Sequence, residues 1–216
     1  MNDKPIILLG SGGHASVLME IIQQTQRIVI GVITKDRKPL HSIFDGVPFL
    51  SYDEIILSYS PEDIDLVNGI GALPGNNEIR ENIYSSFSCK GYRFASVISP
   101  HAYISKFSIL EEGVQIMASA TIQVGASIGK NTIVNTGAIV DHDCIVGPHN
   151  HIAPGAVLSG GVRTHPKVHI GTGANIIQGI DIGENCIIAA GVTINKSLPD
   201  HHIAYASRVV TKELPK

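Results

Sequence analysis

The stretch IQVGASIGKNTIVNTGAIVDHDCIVGPHNHIAPGAVL, residues 122 to 158, carries an aliphatic residue at every sixth position. The period extends beyond this stretch: of the 17 residues met in steps of six from Ile98 to Ile194, only Thr164 is not aliphatic. Four positions after each of them the chain mostly places a small residue, and glycine recurs in between. Such a period predicts a parallel β-helix, in which three hexapeptides make one triangular coil. Residues 18 apart should therefore stack on successive coils, about 4.8 Å apart.

The residues before this array follow a different pattern. Apolar runs that resemble strands alternate with segments whose apolar residues share one helical face. The strand-like runs are PIILLG (5–10), RIVIGVI (27–33) and IDLVNGIG (64–71), and the helical segments are HASVLMEIIQQ (14–24) and NNEIRENIYSSF (76–87). This alternation predicts a small parallel α/β unit. We therefore expect a Rossmann-like α/β domain over residues 1–96 and a β-helix over residues 97–216.

Composition excludes several classes of protein. Sixteen Lys and Arg against 19 Asp and Glu give no basic surface for nucleic acid or for a membrane. The N-terminal sequence lacks the features of a signal peptide, and no apolar run approaches the ~20 residues of a spanning helix. Three widely spaced cysteines argue against a disulfide framework and against a cysteine-rich zinc site. A soluble cytoplasmic protein without membrane insertion is expected.

One corner of the predicted β-helix carries residues suited to acid–base chemistry. In the hexapeptide VDHDCI (140–145), His142 follows the inward Val140 by two residues and should project outward beside Asp143. Asp143 could orient the imidazole or raise its basicity. Gly160 lies one full coil later, where a glycine leaves a backbone N–H open as an oxyanion donor. Because no serine or cysteine nucleophile stands beside this base, the pattern favours direct attack by a substrate amine or hydroxyl over a covalent acyl-enzyme.

The turn Gly10-Ser-Gly-Gly-His14 joins the first predicted strand to the first helix. Glycines at this point let backbone N–H groups and the positive end of the helix approach an anion. The spacing Gly10-x-Gly12-x-x-Ala15 also fits a dinucleotide motif, although alone that motif is weak. A tight strand–helix turn without a ligand remains an alternative.

These features together resemble one family. The segment IVNTGAIVDHDCIVG (133–147), the IAPGAVLSGGV that follows His151, the hexapeptide array and the N-terminal LLGSGGHASVLMEII look like the bacterial acetyl-CoA-dependent sugar acyltransferases that have a left-handed β-helix. The nearest members are N-acetyltransferases of nucleotide-linked 4-amino-dideoxy sugars, with sialic acid O-acetyltransferases as cousins. The resemblance implies a role in surface polysaccharide biosynthesis and a homotrimer that binds acetyl-CoA between neighbouring β-helices. It implies no metal.

The resemblance also implies roles for individual residues. His142 matches the general base, Asp143 the carboxylate that supports it, and Gly160 the backbone N–H that faces the thioester oxygen. The other matched positions are His151, Thr172 and Ala190 for the coenzyme and Gly12, Gly13, His14, Gly75 and Asn135 for the nucleotide sugar, with Gly71 as an alternative to Gly75.

Two departures from the family's pattern leave contacts open. Where relatives often carry an Asp-Asp pair for the base or ribose, this chain reads Thr34-Lys35, with Asp36 beyond, so UDP and GDP both remain candidates. The C-terminal Gly-x-Pro-Ala-Lys segment of relatives is replaced by Ala204-Tyr-Ala-Ser-Arg208.

Four other functions stay open on the sequence. Acetylation of a hydroxyl, as on a free sialic acid, differs from the favoured reaction only in the acceptor. A zinc lyase resembling the γ-class carbonic anhydrases could use His151 and His169, which are one coil apart, with a third ligand from elsewhere. An NAD-dependent oxidoreductase could use the Gly10 turn with Asp36, and a non-catalytic β-helix scaffold would account for the repeat but not for the DHD segment.

Overall fold

The structure is a computed structural model, and it describes residues 4–34, 41–50, 56–75 and 78–206. Lys35, Asp36 and Arg208 lie outside these ranges. Within the described ranges the N-terminal unit has one parallel sheet, whose strand order is β3-β2-β1-β4. Its elements are β1 (Ile6–Leu9), α1 (Gly13–Gln24), β2 (Val29–Ile33), β3 (Phe49–Leu50), β4 (Asp65–Asn68) and α2 (Glu78–Ser88), with short 3₁₀ helices at Ser42–Phe44 and Ile56–Ser58.

Strand β1 is apolar throughout because helices cover both faces of this sheet. Successive side chains of a strand point to opposite faces. Ile6 and Leu8 accordingly pack in one core with α1, whereas Ile7 and Leu9 pack in another with α2. The chain crosses to the other side of β1 between β3 and β4, so the loops that follow β1 and β4 flank a topological switch point. Ligands of open parallel sheets bind at such a point.

From β5 onward the chain winds into a left-handed parallel β-helix, as the period predicts. Its strands are β5 (Val97–Ile98), β6 (Tyr103–Ile104), β7 (Ile109–Leu110), β8 (Gln115–Ile116), β9 (Thr121–Ile122), β10 (Ser127–Ile128), β11 (Ile133–Val134), β12 (Ile139–Val140), β13 (Ile145–Val146), β14 (His151–Ile152), β15 (Val157–Leu158), β16 (Arg163–Thr164), β17 (His169–Ile170), β18 (Asn175–Ile176), β19 (Asp181–Ile182), β20 (Ile187–Ile188), β21 (Thr193–Ile194) and β22 (Ile203–Ala204). Over the described residues these strands form sheets of five, six and seven strands.

Each sheet is in register over steps of one coil. Val140 on β12 pairs with Leu158 on β15, and Ile133 on β11 pairs with His151 on β14. The second residue of most strands points inward and is fully buried, and the small residues between strands, such as Ala138 and Cys144, fill the space beside it. The aliphatic residues that recur at every sixth position thus form the core of the β-helix.

Glycines at the corners serve two different geometric needs. Every sixth residue from Gly113 to Gly191 has φ between 54 and 74°, the left-handed region, and glycine, asparagine or aspartate fills most of these positions. Gly147 belongs to a second set, in which φ is ordinary but the next coil is close. A Cβ on Gly147 would lie 2.7 Å from the backbone of Thr164 and His165.

We therefore expect Gly147→Ala to destabilise the protein by about 1–3 kcal/mol, because the two coils must move apart to admit the methyl group. Thermal or urea unfolding measures the loss. Gly155→Asn is the matched control, since a Cβ there meets nothing within 4 Å and asparagine tolerates its φ of 67°. Equal stability of Gly147→Ala and wild type would contradict the close packing of the coils.

The seven-stranded sheet of the β-helix packs against the N-terminal unit. Met117 and Ile133, beside and on this sheet, share a core with Ile6, Leu8 and the apolar face of α1. Arg80 on α2 is buried at the same junction and donates hydrogen bonds to the carbonyl oxygens of Asn68, Ile70 and Asn131. Among the described residues no helix is both long enough and apolar enough to cross a membrane.

Candidate active site

His142 lies on the corner that joins β12 to β13, and so joins the six-stranded to the five-stranded sheet. The inward Val140 and Cys144 on either side are buried, which turns the residues between them outward. The side chains of His142 and Asp143 are 57% and 73% exposed. The charged cluster in the apolar run is therefore a surface corner and not a buried site.

The two aspartates hold the imidazole by separate contacts. His142 Nδ1 donates to Asp143 Oδ2 at 2.9 Å, and the backbone N–H of His142 donates to Asp141 Oδ1 at 2.7 Å. Asp143 occupies a left-handed corner position with a φ of 59°. The hydrogen bond to Asp143, followed by the charge of Asp141, raises the pKa of His142. With Nδ1 as the donor, the lone pair of neutral His142 lies on Nε2.

Gly160 stacks on His142 from the next coil. A Cβ built on Gly160 would lie 2.4 Å from Nε2 of His142, so only glycine leaves room for the imidazole. The neighbouring Gly161 N–H donates to the His142 carbonyl oxygen at 2.9 Å. The Gly160 N–H itself makes no hydrogen bond to any residue of the described ranges. The corner thus presents a basic nitrogen beside an unused backbone donor.

His151 belongs to a second group of residues, on the seven-stranded sheet. Its Nδ1 lies 2.9 Å from the carbonyl oxygen of Ala72, which can only accept, so Nδ1 carries the proton. Its Nε2 then accepts from Asn135 Nδ2 at 3.1 Å. Burial, followed by the charge of His169, lowers the pKa of His151 to about 3. His151 is therefore neutral, and its two ring nitrogens are both engaged.

His14 lies near this second group, at the start of α1. Its Nε2 is 2.8 Å from Gln115 Oε1 on β8. Burial, followed by the charge of Arg80, lowers the pKa of His14 to about 4. A Cβ on Gly71 would lie 3.4 Å from the Cβ of His14, whereas one on Gly75 would meet no described atom within 4 Å. Of the two glycines that the sequence left as alternatives, Gly71 is the one beside His14.

The turn before α1 is open on its outer side. A Cβ on Gly12 or on Gly13 would meet nothing within 4 Å, and no side chain caps the first turn of the helix. Gly10 is required for a different reason, because its φ is 110° and its Cβ would lie 3.0 Å from Ile70. The free N–H groups at this helix end suit an anion such as a diphosphate.

Thr172 and Ala190 stack on the corner that joins the seven-stranded to the six-stranded sheet. The Gly191 N–H donates to the Thr172 carbonyl oxygen at 2.8 Å, and Ala190 lies against Gly171. Asn135 lies on the same corner, two coils earlier. The candidate residues thus fall into two groups within one chain, His142, Asp143 and Gly160 on one corner and the remainder along the seven-stranded sheet and its neighbouring loops.

Two residues that the sequence did not single out complete the second group. Gln115 and Arg80 both bridge the N-terminal unit and the β-helix, and both are buried. The one signal for Gln115 is a polar residue on an outward strand position that proves to be buried. Nothing in the local sequence of α2 distinguishes Arg80 from a solvated helix arginine.

The zinc interpretation finds no ligand set. The rings of His151 and His169 are 4.9 Å apart and nearly perpendicular, and the nitrogens of His151 are engaged elsewhere. Within the part of the chain that the structure describes, no three His, Cys, Asp or Glu side chains are grouped so that they could hold a metal ion.

Both parts of the chain match families of known proteins. Residues 5–87 match the PglD N-terminal domain, residues 125–160 the bacterial transferase hexapeptide (six repeats), and residues 168–196 the hexapeptide repeat of succinyl-transferase. The acetyltransferase domain of PglB from Neisseria gonorrhoeae, solved with acetyl coenzyme A, is 32% identical over 94% of this chain and 96% of its own, with a TM-score of 0.82.

The chain belongs to the bacterial left-handed β-helix sugar acetyltransferases. PerB from Caulobacter crescentus, solved with CoA and GDP-perosamine, is 32% identical to this acetyltransferase over 92% of each chain, with a TM-score of 0.83. WeeI from Acinetobacter baumannii is 25% identical over 93% of this chain and 96% of its own, with a TM-score of 0.79. Membership makes the protein an acyltransferase, and it favours acyl transfer over the oxidoreductase, zinc-lyase and scaffold interpretations.

Proposed function

We propose that this acetyltransferase moves the acetyl group of acetyl-CoA to the 4-amino group of a UDP- or GDP-linked amino-dideoxy sugar. Two relatives support the choice of substrates, since one was solved with acetyl coenzyme A and another with CoA and GDP-perosamine. The observation that carries the proposal is the imidazole of His142, with Nδ1 bound to Asp143 and Nε2 against Gly160.

In the proposed mechanism the sugar amine attacks the thioester carbonyl carbon directly. Nε2 of His142 takes a proton from the amine as the new C–N bond forms, and Asp143 stabilises the resulting imidazolium. The Gly160 N–H donates to the oxygen that becomes negative in the tetrahedral intermediate. Collapse of the intermediate breaks the C–S bond, and the departing thiolate takes the proton from His142.

The second group of residues would bind the diphosphate and sugar of one substrate and the coenzyme part of the other. The free N–H groups at Gly12 and Gly13 suit the sugar's diphosphate, and Asn135 and His14 would lie beside the sugar. His151, Thr172 and Ala190 would line the coenzyme site. Gly75 and Gly71 are both proposed as contacts of the substrate, and Gly71 is the one that lies against His14.

Catalysis would then need two subunits of a homotrimer. His142 and His151 lie in different parts of the triangular cross-section, so a single chain leaves the base far from the second group. Large apolar side chains are exposed on the two sheets and the corner that surround His142, as expected for a surface that another copy covers. They are Tyr103, Phe107, Ile109, Val124, Ile139 and Ile145.

Mixing two inactive variants tests this arrangement. His142→Ala and His151→Ala subunits are denatured, mixed in equal amounts and refolded. If assembly is random, about a quarter of the interfaces should combine an intact His142 from one subunit with an intact His151 from its neighbour. Thiol release from acetyl-CoA should recover to about that fraction of wild type, while either variant refolded alone stays inactive. Absence of recovery in correctly assembled mixed trimers would place the whole site within one chain.

A panel of acceptors tests the proposed function itself. UDP-, GDP- and dTDP-linked 4-amino sugars and free sialic acid are each supplied with acetyl-CoA, and thiol release is followed. We expect release with a UDP- or GDP-linked amine and sequential kinetics, because no acyl-enzyme forms. Release with sialic acid alone would establish the O-acetyltransferase alternative instead.

A further inference from the structure

Gln115 connects the β-helix to the sugar side of the proposed site. It lies on β8, is 1% exposed, and reaches across the junction to the N-terminal unit. Its Nε2 lies 2.8 Å from the carbonyl oxygen of Asn68, at the end of β4. Its Oε1 lies 2.8 Å from Nε2 of His14. One amide side chain therefore contacts both the first turn of α1 and the last residue of β4, next to the switch point of the sheet.

These contacts fix which nitrogen of His14 carries its proton. A carbonyl oxygen only accepts hydrogen bonds, so the NH₂ group of Gln115 must face Asn68 and its oxygen must face His14. The Nε2 of His14 must then be the donor. A neutral imidazole has a single N–H, and its other nitrogen holds a lone pair. Nδ1 of His14 is therefore an acceptor, and it makes no hydrogen bond to any residue that the structure describes.

We propose that Gln115 is a positioning residue that holds His14 in the Nε2–H form, so that Nδ1 accepts a hydrogen bond from a hydroxyl or amino group of the sugar. The inference rests on the proposed function for the identity of the ligand, but not for the form of the imidazole. In this form His14 is unsuited to bind the diphosphate, since its lone pair would be repelled by a phosphate oxygen.

The surroundings of His14 keep it neutral. Arg80 is the charged group that acts on it, Gln115 is uncharged, and the nearby His151 is itself neutral because of its low pKa. Burial and Arg80 lower the pKa of His14 to about 4, so the imidazole carries one proton across the physiological range. Binding is thereby divided: backbone N–H groups at Gly12 and Gly13 take the anion, and His14 takes a donor group of the sugar.

The form of the imidazole can be observed without substrate. Long-range ¹H–¹⁵N correlation spectra of the ligand-free protein, assigned with a His14→Gln variant, should give the His14 pattern of a protonated Nε2 and a bare Nδ1. A protonated Nδ1 would overturn the proposal. That result would leave the acetyl-transfer assay unaffected, so the failure of this inference is distinguishable from the failure of the proposed function.

Two substitutions test the link to sugar binding. Gln115→Met removes the acceptor for His14 while Asn68 O keeps its hydrogen bond from Arg80 at 2.9 Å. We expect KM for the nucleotide sugar to rise about tenfold, the loss of one oriented hydrogen bond, with the Kd of UDP or GDP alone unchanged. Gln115→Glu places a carboxylate at Nε2 of His14, which raises the pKa of His14. As the pH falls, Nδ1 then gains a proton and can no longer accept a hydrogen bond, so KM for the nucleotide sugar should increase with falling pH.

Ile133→Met is the matched control, because Ile133 pairs with Gln115 in the same sheet and on the same outward face but packs in the apolar core shared with α1. It should leave the His14 spectrum, KM and the Kd of the nucleotide unchanged. If Gln115→Met weakens the binding of free UDP or GDP as much as the binding of the nucleotide sugar, the assignment of His14 to the sugar is wrong. An unaltered KM with an altered tautomer would also overturn it.

Discussion

Replacing His142 with alanine should lower kcat about 10²- to 10⁴-fold, the usual contribution of a positioned general base. The imidazole offers the one basic nitrogen beside the free Gly160 N–H, and its pKa is raised by Asp143. Because the side chain is 57% exposed on a corner, its loss removes no core contact. Thiol release at saturating substrates measures the effect, and the thermal midpoint should stay within the error of wild type.

His165→Ala is the control for this substitution. His165 is another corner histidine; it pairs with Asp181 at 3.0 Å and is 53% exposed, but the N–H of Gly183, one coil later, already donates to the Leu198 carbonyl oxygen. Its removal should leave kcat unchanged. Retention of more than about a tenth of kcat by His142→Ala would contradict the base assignment.

Gly160→Ala should lower kcat about 10²- to 10⁴-fold, because the added methyl group displaces the general base His142 from the backbone N–H, which alanine retains. The added methyl carbon would lie 2.4 Å from Nε2 of His142, too close for non-bonded atoms, so the imidazole must rotate off the donor. The substitution therefore separates base and donor at once. Because Gly160 has an ordinary φ, the backbone accepts alanine without strain, and the unfolding midpoint should change little.

Gly179→Asn serves as its control. Gly179 lies near the same corner one coil later, has a φ of 68° that asparagine tolerates, and has open space around it. Its activity should match wild type. Wild-type kcat in Gly160→Ala would show that the close approach of residue 160 to the His142 imidazole does not contribute to the reaction.

The β-helix and the corner that carries His142 follow from the sequence because both depend on local rules. The six-residue period states which side chains point inward, so an outward His142 follows from an inward Val140. One coil has a constant length, so Gly160 had to stack on His142, and the register of β12 with β15 places it there. A contact between residues one coil apart can therefore be predicted by counting 18 positions along the chain.

The second group could not be predicted in this way, because its contacts join the two units of the chain. His14 and Gln115 are 101 residues apart, and no period states which of the three sheets packs against the N-terminal unit. The sequence left Gly71 and Gly75 as alternatives for the same reason, since the loop after β4 is held by contacts with α2 such as the hydrogen bond from Arg80 to the Ile70 carbonyl oxygen. The engagement of both His151 nitrogens likewise became evident only with the Ala72 carbonyl in place.

The most direct test of the account is the pH dependence of a single turnover. Enzyme in excess is mixed with acetyl-CoA and the acceptor identified by the panel, and amide formation is followed by rapid quench for wild type, Asp143→Asn and His142→Ala. Protonated His142 cannot take a proton from the amine, so the wild-type rate should fall as the pH drops through its raised pKa. In Asp143→Asn the inflection should move to lower pH, and in His142→Ala it should vanish from a rate that is low throughout. The same inflection in all three proteins would contradict the account.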